Sequence, residues 1–251
     1  SERASNAASS LPYEDVNGNT YTSLNDANNS LNNDGDYVAT TDTGARTAWQ
    51  QGWTGRGVKV GIADDFNSNG RLDEHGDWVA IIVGSVAPEA DYNFIDMLGF
   101  SAAMTPDQAL NYFENNGYHI INASWGIDRY DQNTGVEYTD FDAQVASLVG
   151  SFDQSAEDGK QALIVYAAGN SGDVCSGKRS ENCSLQQAVV SELRNAGYTS
   201  GEKSIFVGSL ADGSSEIAGY SIIAGDLKND FIVAHDDILT FGDGVGTSFA
   251  A

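Results

Sequence analysis

The segment Gly244-Val245-Gly246-Thr247-Ser248-Phe249-Ala250-Ala251, at the end of the 251-residue chain, sets a serine hydroxyl among small neighbours. Such a serine suits a tight strand-to-helix turn. Glycine and alanine leave room for a substrate backbone, and the positive end of a following helix would face the hydroxyl. Acyl transfer through a serine needs a base to take its proton, an acid to orient the base, and donors for the oxyanion. Gly-Thr-Ser triplets are common in loops, so the chemistry depends on whether those groups occur upstream. The chain has three histidines. His75 lies on a glycine-containing turn that opens an apolar stretch, and it follows Asp64 at the end of an apolar run. His119 reads as a strand-edge residue after Gly117-Tyr118, and His235, before Asp236-Asp237, as a charge-paired surface group. Context therefore selects His75 as the base. In Ala167-Ala168-Gly169-Asn170-Ser171-Gly172 an amide side chain sits on a glycine-rich segment after an apolar run. Read alone, Asn170 is a turn residue. Beside the serine and the histidine it becomes a donor to an oxyanion.

The elements that must position these residues follow from apolar patterning. Val58–Ala63, Tyr92–Met97, Ile120–Ser124, Ala162–Ala167 and Ile205–Ser209 read as strands. Ala45–Gln51, Gly76–Val83, a stretch opened by Thr105-Pro106 and running to Asn115, Phe141–Ala156, and a stretch capped by Ser184 and running to Asn195 read as helices. Strands alternating with helices predict a mostly parallel sheet covered on both faces, with functional groups at the carboxyl ends of its strands. Asp64, Ser124 and Asn170 fall at such ends. Residues 1–44 are rich in Asn, Asp, Ser and Thr, with turn signals at Asn17-Gly18 and Asp34-Gly35, and read as a polar N-terminal extension. Residues 45–251 read as one catalytic domain.

Composition narrows the function classes. With 36 acidic and 12 basic residues the formal net charge is −24, which argues against nucleic acid as a partner, because phosphate binding needs a basic face. It suits solubility, or carboxylates that attract cations. No apolar run is long enough to span a bilayer. Cys175 and Cys183, with seven residues between them in a short loop, can close a disulfide but lack further Cys or His for a metal site. A disulfide points outside a reducing cytosol, hence to a secreted, periplasmic or cell-surface protein.

Taken in order, six blocks resemble the subtilisin-like serine protease (subtilase, peptidase S8) family from about Ala45 onward. They are Ala48-Trp49 with Gly52-Trp53-Thr54-Gly55-Arg56-Gly57-Val58-Lys59-Val60-Gly61-Ile62-Ala63-Asp64, and His75-Gly76 with Val79-Ala80. The others are Val86-Ala87-Pro88-Glu89-Ala90, Ile120-Ile121-Asn122-Ala123-Ser124-Trp125-Gly126, Ala167-Ala168-Gly169-Asn170, and Gly246-Thr247-Ser248-Phe249-Ala250-Ala251. The Asp, His, Ser order is the one general to subtilisins. The Ser-Trp-Gly and Gly-Thr-Ser-Phe-Ala-Ala variants are similar to the Gram-negative, autotransporter-associated branch.

The resemblance implies a three-layer α/β fold and a secreted serine endopeptidase acting on peptides or proteins. In it Ser248 is the nucleophile, His75 the general base and then acid, and Asp64 the group that holds the imidazole. Asn170 and the Ser248 N–H form the oxyanion hole. The backbone of Ser124-Trp125-Gly126, with Ala168 and Gly169, binds the substrate as an added strand. A pro-segment, a C-terminal remainder or a translocator domain are the partners implied. No cofactor is needed for the chemistry. Asp77-Trp78 replaces the usual Thr-His after His-Gly, an acid and an indole that could reshape the leaving-group side. Adjacent Asp65 competes with Asp64 for the acid's role, and the register of Val58-Lys59-Val60 favours Asp64. Family members continue in a long buried helix after the serine. With three residues after Ser248, the expectation is a fragment, a cleavage product, or a piece whose remainder lies elsewhere, inactive and marginally folded alone.

A further pattern, Asp65-x-Asn67-x-Asn69-Gly70 followed by Asp73, matches the opening of a loop that binds structural calcium, although Gly76 stands where a twelfth-position acid belongs. A polar turn is the alternative. Two other functions compete with proteolysis. One is a subtilase-like pseudoenzyme or binding module that holds peptides without cutting. The other, a lipase or esterase, is disfavoured, because that nucleophile elbow is Gly-x-Ser-x-Gly with the order Ser, Asp, His.

Overall fold

The computed structural model describes residues 13–14, 20–21, 44–66, 74–97, 104–131, 133–151, 162–175, 183–211, 213–235 and 246–251. The chain divides into two units. One comprises residues 1–109 and 237–245, the other residues 110–236 and 246–251, and the division falls within the helix Pro106–Asn115.

In the first unit, strands β1 (Tyr13–Glu14) and β2 (Thr20–Tyr21) pair antiparallel, with Tyr13 opposite Tyr21, on either side of the Asn17-Gly18 turn signal. Helix α1 (Ala45–Gln50) precedes a parallel crossover of β3 (Lys59–Asp64), α2 (His75–Val86) and β4 (Asp91–Asp96). β3 and β4 run parallel from Lys59 opposite Asp91 to Asp64 opposite Asp96. Every β3 residue after Lys59 is buried, the continuous burial expected of a parallel strand. α2 begins one residue earlier than its apolar run, at His75, because a capping box forms there. The Glu74 side chain accepts from the backbone of Asp77, and the Asp77 carboxylate accepts from the Glu74 N–H at 3.2 Å. Asp77 is buried and turned into this cap, so the acid that replaces the familiar threonine serves helix initiation. Thr54 and Arg56 both bond the Glu89 carboxylate, Arg56 at 2.7 Å, and the Trp49 indole donates to the Val86 carbonyl at 2.9 Å. These contacts tie the Gly-Trp-Thr-Gly-Arg-Gly block to Ala-Pro-Glu-Ala.

The second unit carries four parallel strands in the order β5 (Ile120–Ala123), β6 (Leu163–Ala167), β7 (Ser204–Ser209), β8 (Phe231–Ala234). Its helices are α4 (Phe141–Ser151), a short α5 (Gly172–Cys175), α6 (Leu185–Asn195), α7 (Thr199–Glu202) and α8 (Thr247–Ala250), after α3 (Pro106–Asn115) at the boundary. Ser184 caps α6, accepting from the Gln187 N–H at 3.3 Å. α4 packs on α6, burying Phe141, Val145, Val189, Val190 and Leu193. Arg194 near the end of α6 donates to the Gly201 carbonyl and to Asp230 at 2.8 Å, fixing α7 and the 3₁₀ turn Gly225–Asp230. Among the described residues no helix is long and apolar enough to cross a membrane.

Candidate active site

Within the first unit the sequence brings an acid and an imidazole together at the carboxyl end of β3. Asp64 is the last residue of that strand and fully buried. Its Oδ1 lies 2.7 Å from His75 Nδ1 and also accepts from the Asp65 N–H at 2.8 Å. A carboxylate only accepts, so Nδ1 carries the proton in the neutral imidazole and Nε2 keeps its lone pair. Glycine at position 76 allows this approach. A Cβ there would stand 2.5 Å from the Asp65 carbonyl oxygen and 2.9 Å from the Asp64 Cβ. The Gly76 N–H instead donates to that carbonyl at 2.8 Å. Of the two neighbouring aspartates, Asp64 is the one that reaches the ring, while Asp65 acts on it through charge alone. Burial lowers the His75 pKa, but the hydrogen bond and charge of Asp64, with a smaller contribution from Asp65, outweigh it and raise the pKa above the ordinary histidine value.

Within the second unit β6 ends in Ala168-Gly169-Asn170. Asn170 Oδ1 accepts from both the N–H (3.0 Å) and the hydroxyl (3.1 Å) of Thr247, and that hydroxyl accepts from the Gly169 N–H at 2.9 Å. A backbone N–H can only donate, so the oxygen of the amide faces Thr247 and its NH₂ is turned the other way. Ser248 is the residue after Thr247, in the first turn of α8. Asn170 is thereby tied, with its donor end outward, to the turn that carries the serine. Gly169 has φ +107°, and a Cβ would stand 2.7 Å from Ile222 and 2.8 Å from Asp128, so no other residue fits. Its N–H and C=O are both engaged, the latter by Ile222 N–H at 2.9 Å.

The expected substrate strand lies beyond β5. Ser124 is buried and its hydroxyl donates to Asn122 at 2.8 Å. The Trp125 carbonyl accepts from Gln186 Nε2 at 3.0 Å, and Gly126 is exposed. Cys175 and Cys183 form a disulfide, both buried with Tyr130 and Ile222. Of the four expected calcium ligands Asp65 is described, and Asn67, Asn69 and Asp73 lie outside the described residues. His119 is exposed, its carbonyl accepting from the Leu163 N–H at 2.9 Å. Two residues escape a reading of the sequence. Thr247 orients Asn170, and the only signal is a hydroxyl directly before the serine. Asp128 folds onto Gly169 and Ser171 from a distant point in the chain, with no local signal at all.

The parallel α/β scaffold is a subtilisin-like fold, shared with three solved structures. They are a lanthipeptide protease (19% identical, TM-score 0.50, 86% of this chain and 76% of that chain), the prenylagaramide maturation protease PagA (18%, 0.51, 82% and 75%) and MycP1 with its N-terminal propeptide removed (20%, 0.52, 85% and 80%). The peptidase S8, subtilase family model matches residues 13–227, and the chain belongs to that family. It is a subtilisin-like serine endopeptidase. A comparison with curated proteins gives no match.

Proposed function

We propose that this endopeptidase hydrolyses peptide bonds through Ser248, His75 and Asp64, with Asn170 and the Ser248 N–H holding the oxyanion. The observation that carries the reading is the 2.7 Å contact between buried Asp64 and His75 Nδ1. That contact leaves Nε2 as the base that takes the Ser248 proton and returns it to the leaving amine, while the carboxylate stabilises the imidazolium formed between. The outward NH₂ of Asn170 supplies a fixed donor to the developing oxyanion, where preorganised donors act most strongly. The substrate lies as an extended strand along Ser124-Trp125-Gly126, with Ala168 and Gly169 against the residue whose carbonyl is attacked. The buried Cys175–Cys183 bridge supports a secreted, periplasmic or cell-surface location.

The test is peptide hydrolysis by the full-length protein and its Ser248→Ala variant. Turnover is expected to fall on the order of 10⁶-fold, leaving the residual that binding and the oxyanion hole provide. Unchanged turnover in the variant refutes the assignment. Tight peptide binding with no turnover in either protein would favour a module that holds peptides without cutting.

A further inference from the structure

Asp128 lies two residues beyond Gly126, and its carboxylate folds back over the oxyanion segment. Oδ2 accepts from the Ser171 hydroxyl, and Oδ1 lies 2.8 Å from where a Cβ on Gly169 would stand. The carboxylate thus touches the residues on both sides of Asn170. A second acceptor faces the same stretch from α6. Gln186 is 4% exposed. Its Nε2 donates to the Trp125 carbonyl, which can only accept, so the amide orientation is fixed and Oε1 points the other way. That Oε1 lies 3.3 Å from where a Cβ on Gly126 would stand and has no hydrogen-bond partner among the described residues. Buried acceptors are normally satisfied, so this one calls for a donor that the described residues do not supply. Arg129, which follows Asp128 in sequence, does not supply it. Arg129 is held by Glu137 at 2.7 Å and Asp142 at 3.0 Å.

We propose that Asp128 and Gln186 Oε1 form the pocket for the substrate side chain at the attacked carbonyl, and that this pocket selects arginine or lysine. The inference rests on the assignment of Asn170 as the oxyanion donor. A carbonyl oxygen held there puts its own Cα about 2.4 Å away, against Gly169 and Ser171, and an arginine or lysine side chain extends about 6–7 Å from that point. Gly126 and Asp128 are at most about 7 Å apart along an extended chain, a distance comparable to the reach of one long cationic side chain. An apolar side chain would cover a carboxylate and give no donor to the amide oxygen, and an acidic one would meet like charge.

The full-length protein is assayed with matched peptides that differ only at this residue: arginine, its neutral isostere citrulline, lysine, norleucine and glutamate. The expected kcat/KM for arginine exceeds that for citrulline by about 10–100-fold, the scale of a charge-assisted hydrogen bond. In Asp128→Asn, which still accepts from Ser171, the ratio should fall to within about threefold. Equal cleavage of arginine and citrulline by the wild type overturns the proposal, as does an undiminished ratio in the variant. The wild-type ratio decides the matter alone if the variant does not fold. Fluorophosphonate labelling of the same wild-type sample separates the two readings. Labelling of Ser248 without a preference for arginine overturns this pocket only, and neither labelling nor cleavage overturns the nucleophile assignment with it.

Discussion

Asp64 and His75 make pH the most direct observable at the residue scale. The raised His75 pKa has two consequences of opposite sign. The base must be neutral, so kcat/KM should climb through an acid limb centred above about 6.5, the ordinary histidine value. The protonated pair contributes stability that is fully present below that value and is lost as pH rises through the raised pKa. Asp64→Asn removes the group that raises the pKa and leaves the burial that lowers it. The acid limb should shift to lower pH while turnover falls about 10⁴-fold. A limb that stays in place would contradict the pairing. Asn170→Ala should cost about 10²–10³ in kcat, the value of one oxyanion donor. Thr247→Val keeps one of the two donors to Asn170 Oδ1 but strands the buried Gly169 N–H. Stability should drop by about 1–3 kcal/mol, and kcat should fall more than KM rises. Urea titration and steady-state kinetics on the same preparation read both effects.

At the scale of elements, the Cys175–Cys183 bridge and Gly169 each make a contribution to stability that can be measured. Loss of the Cys175–Cys183 bridge through Cys175→Ser and Cys183→Ser together should lower stability by about 2–3 kcal/mol from loop entropy. The change shows in thermal unfolding of oxidised protein against the double variant. Gly169→Ala, forced to φ +107° against Ile222 and Asp128, should cost about 1–3 kcal/mol and disturb Asn170 as well. Much of this was legible in sequence. The strands ending in Asp64, Ala123 and Ala167 are apolar runs closed by polar or glycine-rich residues, and their ends fall within a residue or so of expectation. Ser184 caps α6 as its position before an apolar run implies. β8 was not legible, because Phe231–Ala234 is only four residues long and half exposed, with Ile232 54% accessible. Its pairing with β7 is a tertiary fact. The same holds for Asp128, whose partners Gly169 and Ser171 lie more than forty residues away in sequence. The role of Asp77 was misleading for a different reason. A substitution next to the histidine invites a reading in terms of substrate, while its carboxylate is consumed by the helix cap.

For the whole molecule, the dominant physical quantity is the formal charge of −24. A field of that sign attracts cationic peptides and is screened by salt, the Debye length shrinking from about 30 Å at 0.01 M to about 3 Å at 1 M. For substrates carrying several lysines remote from the scissile bond, kcat/KM should fall several-fold from low to high salt, whereas neutral substrates should show little change. A salt-independent rate for the cationic series would mean that the acidic surface plays no part in encounter. The triad assignment itself is tested most directly by a fluorophosphonate probe applied to the full-length protein, with the modified residue located by peptide mass spectrometry. The probe needs a serine hydroxyl activated by a neighbouring base and an oxyanion hole to accept the phosphonyl oxygen. The prediction is stoichiometric modification of Ser248, suppressed in His75→Ala and Asp64→Asn. Modification of a different serine, or none in protein that cleaves peptides, would contradict it.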